Sequence, residues 1–530
     1  MRDWLLGDWF FGSARRSYLR ARENEAHAIA EAEALEEGEL RRTVDALRGD
    51  ESFVLGSLSN GTTVTIAPRE IGRHGMVWGS SGAGKSYGVH VITEGWTRRD
   101  RRLQLIDPKG ETFLLKAIHI AARYGSLPES QREAFASRFR VFDVSETSVT
   151  PVDLFHVPEG MSPALLANLR TAATTDLSSH VFSDLMAYGI FLLYSAAINL
   201  GWGVTIRIVR AFFLDGEFRE RVARLITDER LRDSISHLET TLPEQSRKAI
   251  VRQFDILLAS APARVSFGLP PSATRELLPD SSGASVLLGN FGPTPQRPPA
   301  LAKTMATNRL IDVLSETSVR REALPEMLLL EEVGVLVKQP AVAEYLLEAS
   351  RTLRWKGLGI VCVAQDPANA IPPETCTALV LNSKWLLSFE CGRDEAMWLL
   401  PHTQREPGRS DAEERRAFFA EMAKLPTQHA VFVRKGLPGL RLTMRTVDDP
   451  TRARSRDELL ETFTSKIAAR SMIRMEAAER RIEEFEESVF SPDRTPRPAK
   501  HPSAKRPQAS GSVEDFFSFL DEARKRKDDE

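Results

Sequence analysis

A glycine-rich turn between an apolar strand and a helix is the feature that most constrains the fold of this chain. The stretch HGMVWGSSGAGKSYGVHVI, residues 74–92, fits the pattern G-x-x-x-x-G-K-[ST]. Backbone N–H groups in such a turn surround a phosphate, and the following helix points the positive end of its dipole at the same anion. We therefore predict a nucleotide site rather than a plain glycine-rich turn, because the strand GMVW precedes it. The predicted contact residues are Gly79, Ser80, Ser81, Gly82, Ala83, Gly84, Lys85 and Ser86.

Within this turn, two side chains have specific predicted roles. Lys85 would reach the β- and γ-phosphates, and the hydroxyl of Ser86 would bind Mg²⁺. ATP and Mg²⁺ are therefore the predicted ligands.

A second motif supplies the acidic groups that such a site needs. In MLLLEE, Glu331 and Glu332 directly follow four apolar residues. This pattern predicts that both lie at the carboxyl end of a central strand, where ligands of open α/β sheets bind. Glu331 would hold the water shell of the metal, and Glu332 would be the general base that activates the attacking water. The alternative, two surface glutamates that begin a helix, is disfavoured by the apolar run.

Composition limits the remaining possibilities. The chain has 530 residues and is 42% hydrophobic, which is enough for several domains with a sizeable core. Its net charge of −2 means that any contact with nucleic acid must use a local stripe or a channel. The three cysteines, Cys362, Cys376 and Cys391, form no CxxC pair, which favours a reducing compartment without structural zinc. Asp3 and Asp8 interrupt the apolar start, so we expect no cleaved signal peptide and a cytoplasmic location.

Alternation of strands and helices predicts the domain organisation. Residues 51–158 and 271–450 read as one α/β domain with a mostly parallel central sheet, and residues 159–270 as an inserted all-α domain. The uncharged run 185–206 is predicted to be a buried helix. A membrane span there would separate the two halves of one active site.

Several strands are predicted in detail. A hairpin around Asn60-Gly61 should lead into the strand before the glycine-rich turn. Residues 378–391 are predicted as a strand, and the strands 429–436 and 441–447 are expected at an edge of the sheet.

Both ends of the chain are predicted to lie outside the main domains. Residues 1–50 read as a helical extension, whose aromatic residues 1–12 would pack on the domain, dock a membrane-protein partner or lie in a membrane interface. Residues 451–490 read as a charged helix, and 491–511 as a disordered basic linker, a solvated spacer or a DNA-binding arm. Residues 512–530 are predicted to be an amphipathic helix that docks a protein partner or packs on its own ATPase domain.

Further motifs carry a resemblance to a known family. RWKGLGIVCVAQ resembles a segment of the HerA/FtsK superfamily of ring-forming DNA-pumping ATPases, in which an arginine is followed after eleven residues by a glutamine. The resemblance implies that Arg354 and Gln365 are the sensor arginine and the polar residue that read the γ-phosphate. LQLIDPKGE, which contains Asp107 as a candidate nucleotide-site residue, resembles type IV coupling proteins. In GRHGMVWGSSGAGKS, Arg73 occupies the position where the superfamily has an arginine that completes the active site of the neighbouring subunit.

The resemblance also implies a RecA-like fold, a hexameric ring and DNA as a partner. Two departures affect what it implies, since the family usually has Asp-Glu in place of Glu331-Glu332 and commonly carries membrane-spanning helices before the ATPase. A location at the periphery of the inner membrane therefore stays open. The alternatives are a HerA-like motor that serves a nuclease in repair or phage defence, and a nucleotide-gated platform that docks protein substrates of a secretion system. His74 is predicted to be a packed or solvent-bonded side chain rather than a base.

Overall fold

The structure of the chain is a computed structural model. The structure describes residues 37–490 except for short gaps at 98–100, 146, 154–155, 159, 175–180, 201–203, 258–259, 278–285, 296 and 403–409. The predictions for residues 1–36 and 491–530 therefore lie outside the described residues.

An eleven-stranded sheet forms the centre of the molecule, and a two-stranded sheet lies apart from it. The strands are β1 (Phe53–Ser57), β2 (Thr63–Ile66), β3 (Gly75–Trp78), β4 (Arg102–Asp107), β5 (Phe139–Phe142), β6 (Ser148–Val149), β7 (Val286–Asn290), β8 (Glu326–Leu330), β9 (Leu358–Ala364), β10 (Trp385–Ser388), β11 (His429–Arg434), β12 (Leu440–Met444) and β13 (Ile473–Arg474). The large sheet has the order β2-β1-β12-β11-β10-β3-β9-β8-β4-β7-β5, and β13 pairs with β6.

The large sheet has a parallel part and an antiparallel part, which meet at β10. From β10 to β5 all neighbours run parallel, whereas β2, β1, β12 and β11 pair antiparallel with one another and with β10. The predicted fold class, α/β with a mostly parallel sheet, is confirmed. The carboxyl ends of all the parallel strands lie along one border of the sheet, here called the carboxyl edge. Their amino ends lie along the opposite border, here called the amino edge.

Two sequence predictions about strands were wrong. The strands β11 and β12 are not outermost strands of the sheet. The β1–β2 hairpin pairs with β12 through β1 and extends the sheet beyond it. The segment 378–391 is not a single strand, because a helix runs from Pro373 to Asn382 and only Trp385–Ser388 are extended. Proline at the first helical position favours helix initiation there.

Helices cover both faces of the large sheet. Before β6 the described helices are α1 (residues 37–47), α2 (Pro68–Ile71), α3 (Lys85–Thr97), α4 (Glu111–Ser126) and α5 (Glu129–Ser137). The core is divided accordingly, since Leu328 and Leu330 of β8 belong to one apolar cluster and Met327 and Leu329 to the other. Full burial on both faces is typical of central parallel strands.

Between β6 and β7, the only regular secondary structure among the described residues is helical. They are α6 (Pro163–Thr174), α7 (Val181–Leu200), α8 (Ile206–Leu214), α9 (Gly216–Leu225), α10 (Glu229–Ser236), α11 (Leu238–Thr241), α12 (Glu244–Leu257), α13 (Ala261–Gly268) and α14 (Pro271–Leu277). Most of the uncharged run belongs to α7, whose residues from Met186 to Tyr194 are buried, so the predicted buried helix is confirmed. Among the described helices, none is long and apolar enough to span a membrane.

The remaining helices follow β7. They are α15 (Pro299–Val319), α16 (Val333–Leu336), α17 (Pro340–Thr352), α18 (Pro367–Ala370), α19 (Pro373–Asn382), α20 (Arg393–Leu399), α21 (Asp411–Met422), α22 (Arg456–Lys466) and α23 (Met475–Phe490), with 3₁₀ helices at Leu353–Lys356, Leu400–His402, Pro450–Arg452 and Ala468–Arg470. The three cysteines are free and buried.

The segment 451–490 contains two α-helices and a short strand, not the single charged helix that was predicted. The first helix packs on α4, where the Phe463 and Phe113 rings lie 5.8 Å apart. The second packs on the helices between β6 and β7, where the Phe490 and Phe218 rings lie 5.2 Å apart. This segment therefore connects the sheet domain to the helices inserted into it.

Candidate active site

The glycine-rich turn joins β3 to α3 at the carboxyl edge. Gly82 and Gly84 have φ angles of +79° and +109°, which side-chain-bearing residues rarely adopt. A Cβ on Gly84 would also lie 3.1 Å from the backbone nitrogen of Gln428. Glycine is therefore required at position 84 both by the backbone conformation and by the close approach of a neighbouring segment.

Lys85 lies over this turn. Its Nζ donates hydrogen bonds to the carbonyl oxygens of Gly79 at 2.7 Å and Ser80 at 2.8 Å. Burial lowers the pKa of Lys85, although the nearby carboxylate of Glu332 acts in the opposite direction. The negative charge of a bound triphosphate would stabilise the protonated ammonium group and so offset the effect of burial.

A cleft of about 230 Å³ opens beside the turn. Strands β3, β4, β8 and β9 all end at it, so residues from distant parts of the sequence meet there. Its lining comprises Ser81, Gly82, Gly84, Lys85, Ser86, Tyr87, Asp107, Lys109, Glu111, Thr112, Glu331, Glu332 and Gln365.

Asp107, at the end of β4, lines the cleft and also fixes the turn that follows it. One carboxylate oxygen accepts the N–H groups of Lys109 at 3.0 Å and Gly110 at 2.8 Å, and the other accepts the N–H of Phe113 at 2.8 Å. Burial raises the pKa of Asp107, and these N–H groups oppose that rise. Its contacts thus hold the start of α4 in place.

Glu331 is deeply buried, with an exposed fraction of 6%. The hydroxyl of Thr112 donates to its Oε1 at 2.6 Å. Burial, together with the negative charge of Asp107, raises the pKa of Glu331 to about 8. A carboxyl in this environment is neutral at pH 7 and ionises when a cation arrives.

Glu332 directly follows Glu331 and has an unusual backbone. Its φ of 46° and ψ of 50° lie in the left-handed region, which is uncommon for a residue with a side chain. Its Oε1 lies 2.7 Å from Nζ of Lys109. Backbone strain of this kind is often found where a side chain is held in a functional position.

The donor set fits Mg²⁺ bound together with a nucleotide. Magnesium in such sites keeps several waters and uses one or two protein oxygens plus the phosphates. Ser86 and Glu331 both line the cleft and could provide those oxygens. Across the described part of the chain, no group of three or more His, Cys, Asp or Glu side chains could hold a metal ion by itself. The cleft therefore fits a Mg²⁺ ion whose remaining ligands are the phosphates of a bound nucleotide and water.

The two arginines predicted for the site are absent from the lining of the cleft. Arg73 precedes β3 and Arg354 lies in the 3₁₀ helix before β9, so both are at the amino edge. Gln365, by contrast, follows β9 and lines the cleft. The seven residues of β9 alone span about 20 Å between the two edges.

His74 is packed in the core beside the amino edge. Its Nδ1 accepts the backbone N–H of Ile360 at 2.9 Å. Burial, with a contribution from the charge of Arg354, lowers its pKa to about 4. Of the two predicted environments, packed or solvent-bonded, the structure shows the packed one, with His74 4% exposed.

Sequence reasoning missed several residues of the cleft and its surroundings. Lys109 and Glu111 stood within the motif DPKGE, but nothing in the sequence gave them a chemical role. Thr112 was not considered, and Glu390 was identified only as part of a strand. Glu390 binds the turn through Ser80, whose N–H donates to its carbonyl oxygen at 2.6 Å and whose hydroxyl donates to its carboxylate at 3.1 Å.

Comparisons with known proteins identify a matching family model and solved structures of similar fold. Residues 53–185 match the family described as helicase HerA, central domain. No match was found among curated protein sequences. The bacterial conjugative coupling protein TrwBdeltaN70 in its unbound monoclinic form has a TM-score of 0.51 at 15% identity, over 78% of this chain and 93% of that one.

Two further solved structures are similar. TrwB in complex with ADP and Mg²⁺ has a TM-score of 0.53 at 15% identity, over 77% of this chain and 92% of that one. VirB4 of Thermoanaerobacter pseudethanolicus has a TM-score of 0.51 at 13% identity, over 76% of this chain and 99% of that one. At these identities the likeness shows a shared fold. Together with the family match, it confirms the predicted resemblance.

Proposed function

We propose that this chain, a P-loop ATPase of the HerA/FtsK superfamily, hydrolyses MgATP in a ring of identical copies and couples hydrolysis to the movement of DNA. One observation carries the hydrolytic part. A single cleft brings together a P-loop lysine, a buried carboxyl, a second carboxylate in a strained backbone and a glutamine at the end of a neighbouring strand. These are the parts that phosphoryl transfer to water requires.

Each group then has a role that its position supports. Lys85 binds the β- and γ-phosphates, and Ser86 and Glu331 hold Mg²⁺ and its water shell. Glu332 takes the proton of the attacking water, while Gln365 contacts the γ-phosphate. Bound Mg²⁺ supplies charge neutralisation on the phosphates.

The positions of the two arginines support assembly into a ring. Arg73 and Arg354 lie at the edge of the sheet opposite the cleft, which makes them available to the cleft of a neighbouring copy. An arginine supplied across an interface stabilises charge on the γ-phosphate and makes hydrolysis depend on assembly. A hexamer is the ring size that the family resemblance favours.

Exposed apolar side chains at the amino edge also support an interface there. Trp355 and Leu381 are each 69% exposed, more than any other large hydrophobic residue in the described part of the chain. They belong to one region, because Asn382 Nδ2 donates a hydrogen bond to Ser350 Oγ at 3.0 Å and joins the ends of α19 and α17. Large exposed aromatic groups are typical anchors of protein interfaces.

DNA is proposed as the moving substrate on the strength of the family match. With a net charge of −2, the chain would contact DNA through a local surface, such as the interior of a ring. The same match favours, as a second candidate, a HerA-like motor that serves a nuclease. That candidate shares the chemistry and differs in the partner protein.

The proposal is tested by ATP turnover of the full-length protein with and without DNA. We expect DNA to stimulate turnover severalfold, Lys85→Ala to abolish both rates, and the protein to displace a DNA-bound third strand only when ATP is hydrolysed. Turnover that DNA does not change would contradict the proposal and favour the protein-docking platform. Single-stranded and double-stranded DNA are compared in the same assay.

The remaining partners stay predictions outside the described residues. We propose a protein partner for residues 512–530 and a membrane-protein partner for residues 1–12. With such a partner the chain would act in the cytoplasm at the periphery of the inner membrane.

A further inference from the structure

Lys109 and Glu332 form an ion pair in the cleft. Nζ of Lys109 lies 2.7 Å from Oε1 of Glu332, and the side chains are 39% and 17% exposed. The two residues are 223 positions apart in the sequence. They meet because they follow β4 and β8, which are neighbouring parallel strands.

The backbones at both ends of this pair are held in place. The N–H of Lys109 donates to the carboxylate of Asp107 at 3.0 Å, within the turn that begins α4. Glu332 is fixed in the left-handed conformation between β8 and α16. The flexible stem of the lysine is therefore the part of the pair that is free to reorient.

Lys109 also lines the same cleft as the P-loop residues Lys85 and Ser86, which are expected to bind the phosphates and Mg²⁺. Its charge acts on Lys85, where it helps to lower the pKa of that P-loop lysine. Within this cleft, Lys109 can therefore pair with the carboxylate of Glu332 or with the γ-phosphate of a nucleotide bound by Lys85. A γ-phosphate offers more negative charge than one carboxylate and competes for the same cation.

We propose that Lys109 is a positioning residue that exchanges between Glu332 and the γ-phosphate of ATP. In the absence of ATP it occupies the carboxylate oxygen that would accept a proton from water. When ATP binds, the ammonium moves to the γ-phosphate and the base is released. ADP lacks that phosphate, so Glu332 stays paired. The inference rests on the proposed ATPase function and adds that ATP itself frees the base.

The first test compares the affinities of MgADP and the non-hydrolysable MgAMPPNP, measured by displacement of a fluorescent nucleotide. Lys109→Met should weaken AMPPNP about tenfold or more, the usual loss for one charged hydrogen bond, and leave ADP within about twofold. Lys109→Arg keeps the cation and should restore most of the difference. Lys424→Met, a change at an exposed lysine absent from the cleft lining, is the matched control and should alter neither affinity.

The second test asks whether Glu332 and the nucleotide compete for Lys109. Glu332→Gln removes the competing charge, so AMPPNP should bind about two- to fivefold more tightly than to the wild type, with ADP unchanged. This gain should vanish in the double variant Lys109→Met/Glu332→Gln. Equal effects on both nucleotides, or a fall in kcat with no change in selectivity, would overturn the exchange. A wild-type protein that binds neither nucleotide would instead overturn the proposed function itself.

Discussion

Glu331→Gln should change how the stability of the nucleotide-free protein depends on pH. The buried Glu331 carboxyl has a pKa of about 8, whereas the ordinary value is 4.5. Below pH 4.5 the group is protonated in both the folded and the unfolded chain and costs nothing. As pH rises from 4.5 to 8, only the unfolded chain loses the proton, so the free energy of unfolding falls.

The full cost follows from the difference between the two pKa values. At about 1.36 kcal/mol per unit, the wild type loses roughly 5 kcal/mol of stability through this group by pH 8. Glutamine resembles the protonated acid and can still accept the hydrogen bond of Thr112, but it cannot ionise. The variant should therefore match the wild type near pH 5 and be several kcal/mol more stable above pH 8.

Denaturant unfolding in EDTA, followed by tryptophan fluorescence at pH 5 and pH 8.5, measures this difference. Other titrating groups contribute to both proteins and largely cancel in the comparison. MgATP should reverse the order at pH 8.5, because only the wild type gains a carboxylate that can face the ion. A stability difference that is the same at both pH values would refute the assigned environment of Glu331.

Three further predictions concern the site and the end of the chain. Glu332→Gln should keep nucleotide binding but lower hydrolysis at least about 100-fold, the effect of losing a general base, and steady-state turnover with parallel binding titrations measures this. Lys85→Ala should instead weaken ATP binding itself, and unchanged affinity would remove the P-loop from the mechanism. Deletion of residues 509–530 should leave the melting temperature and ATP turnover unchanged while function in the cell falls, whereas a clear loss of thermal stability would place this segment in the protein's own core.

The sequence predicted those parts of the fold that depend on local pattern. The turn from Gly79 to Ser86 needs particular residues at fixed spacing, and four apolar residues before Glu331 are enough to identify a buried strand. Both signals act within a few positions of the chain, so they can be read without knowing the fold.

Contacts between distant segments could not be predicted in this way. No local pattern indicates that Lys109 meets Glu332 or that Thr112 binds Glu331, because these pairs depend on the order of strands in the sheet. Strand order likewise decided that β11 and β12 are interior, since the hairpin that covers them comes from the other end of the domain. The prediction of a strand at 378–391 failed for another reason. The apolar residues of this segment suit a strand, but the prolines before it begin a helix.

Mixing two inactive variants shows most directly whether each active site is shared between neighbouring copies. Each site is proposed to use the base of its own chain and an arginine of its neighbour. Arg73→Ala or Arg354→Ala protein, and Glu332→Gln protein, should each be nearly inactive alone. A mixed ring contains junctions where an intact Glu332 meets an intact pair of arginines, so ATP turnover should partly return on mixing. No recovery in mixtures shown to co-assemble would contradict the proposal that the site is completed by a second copy.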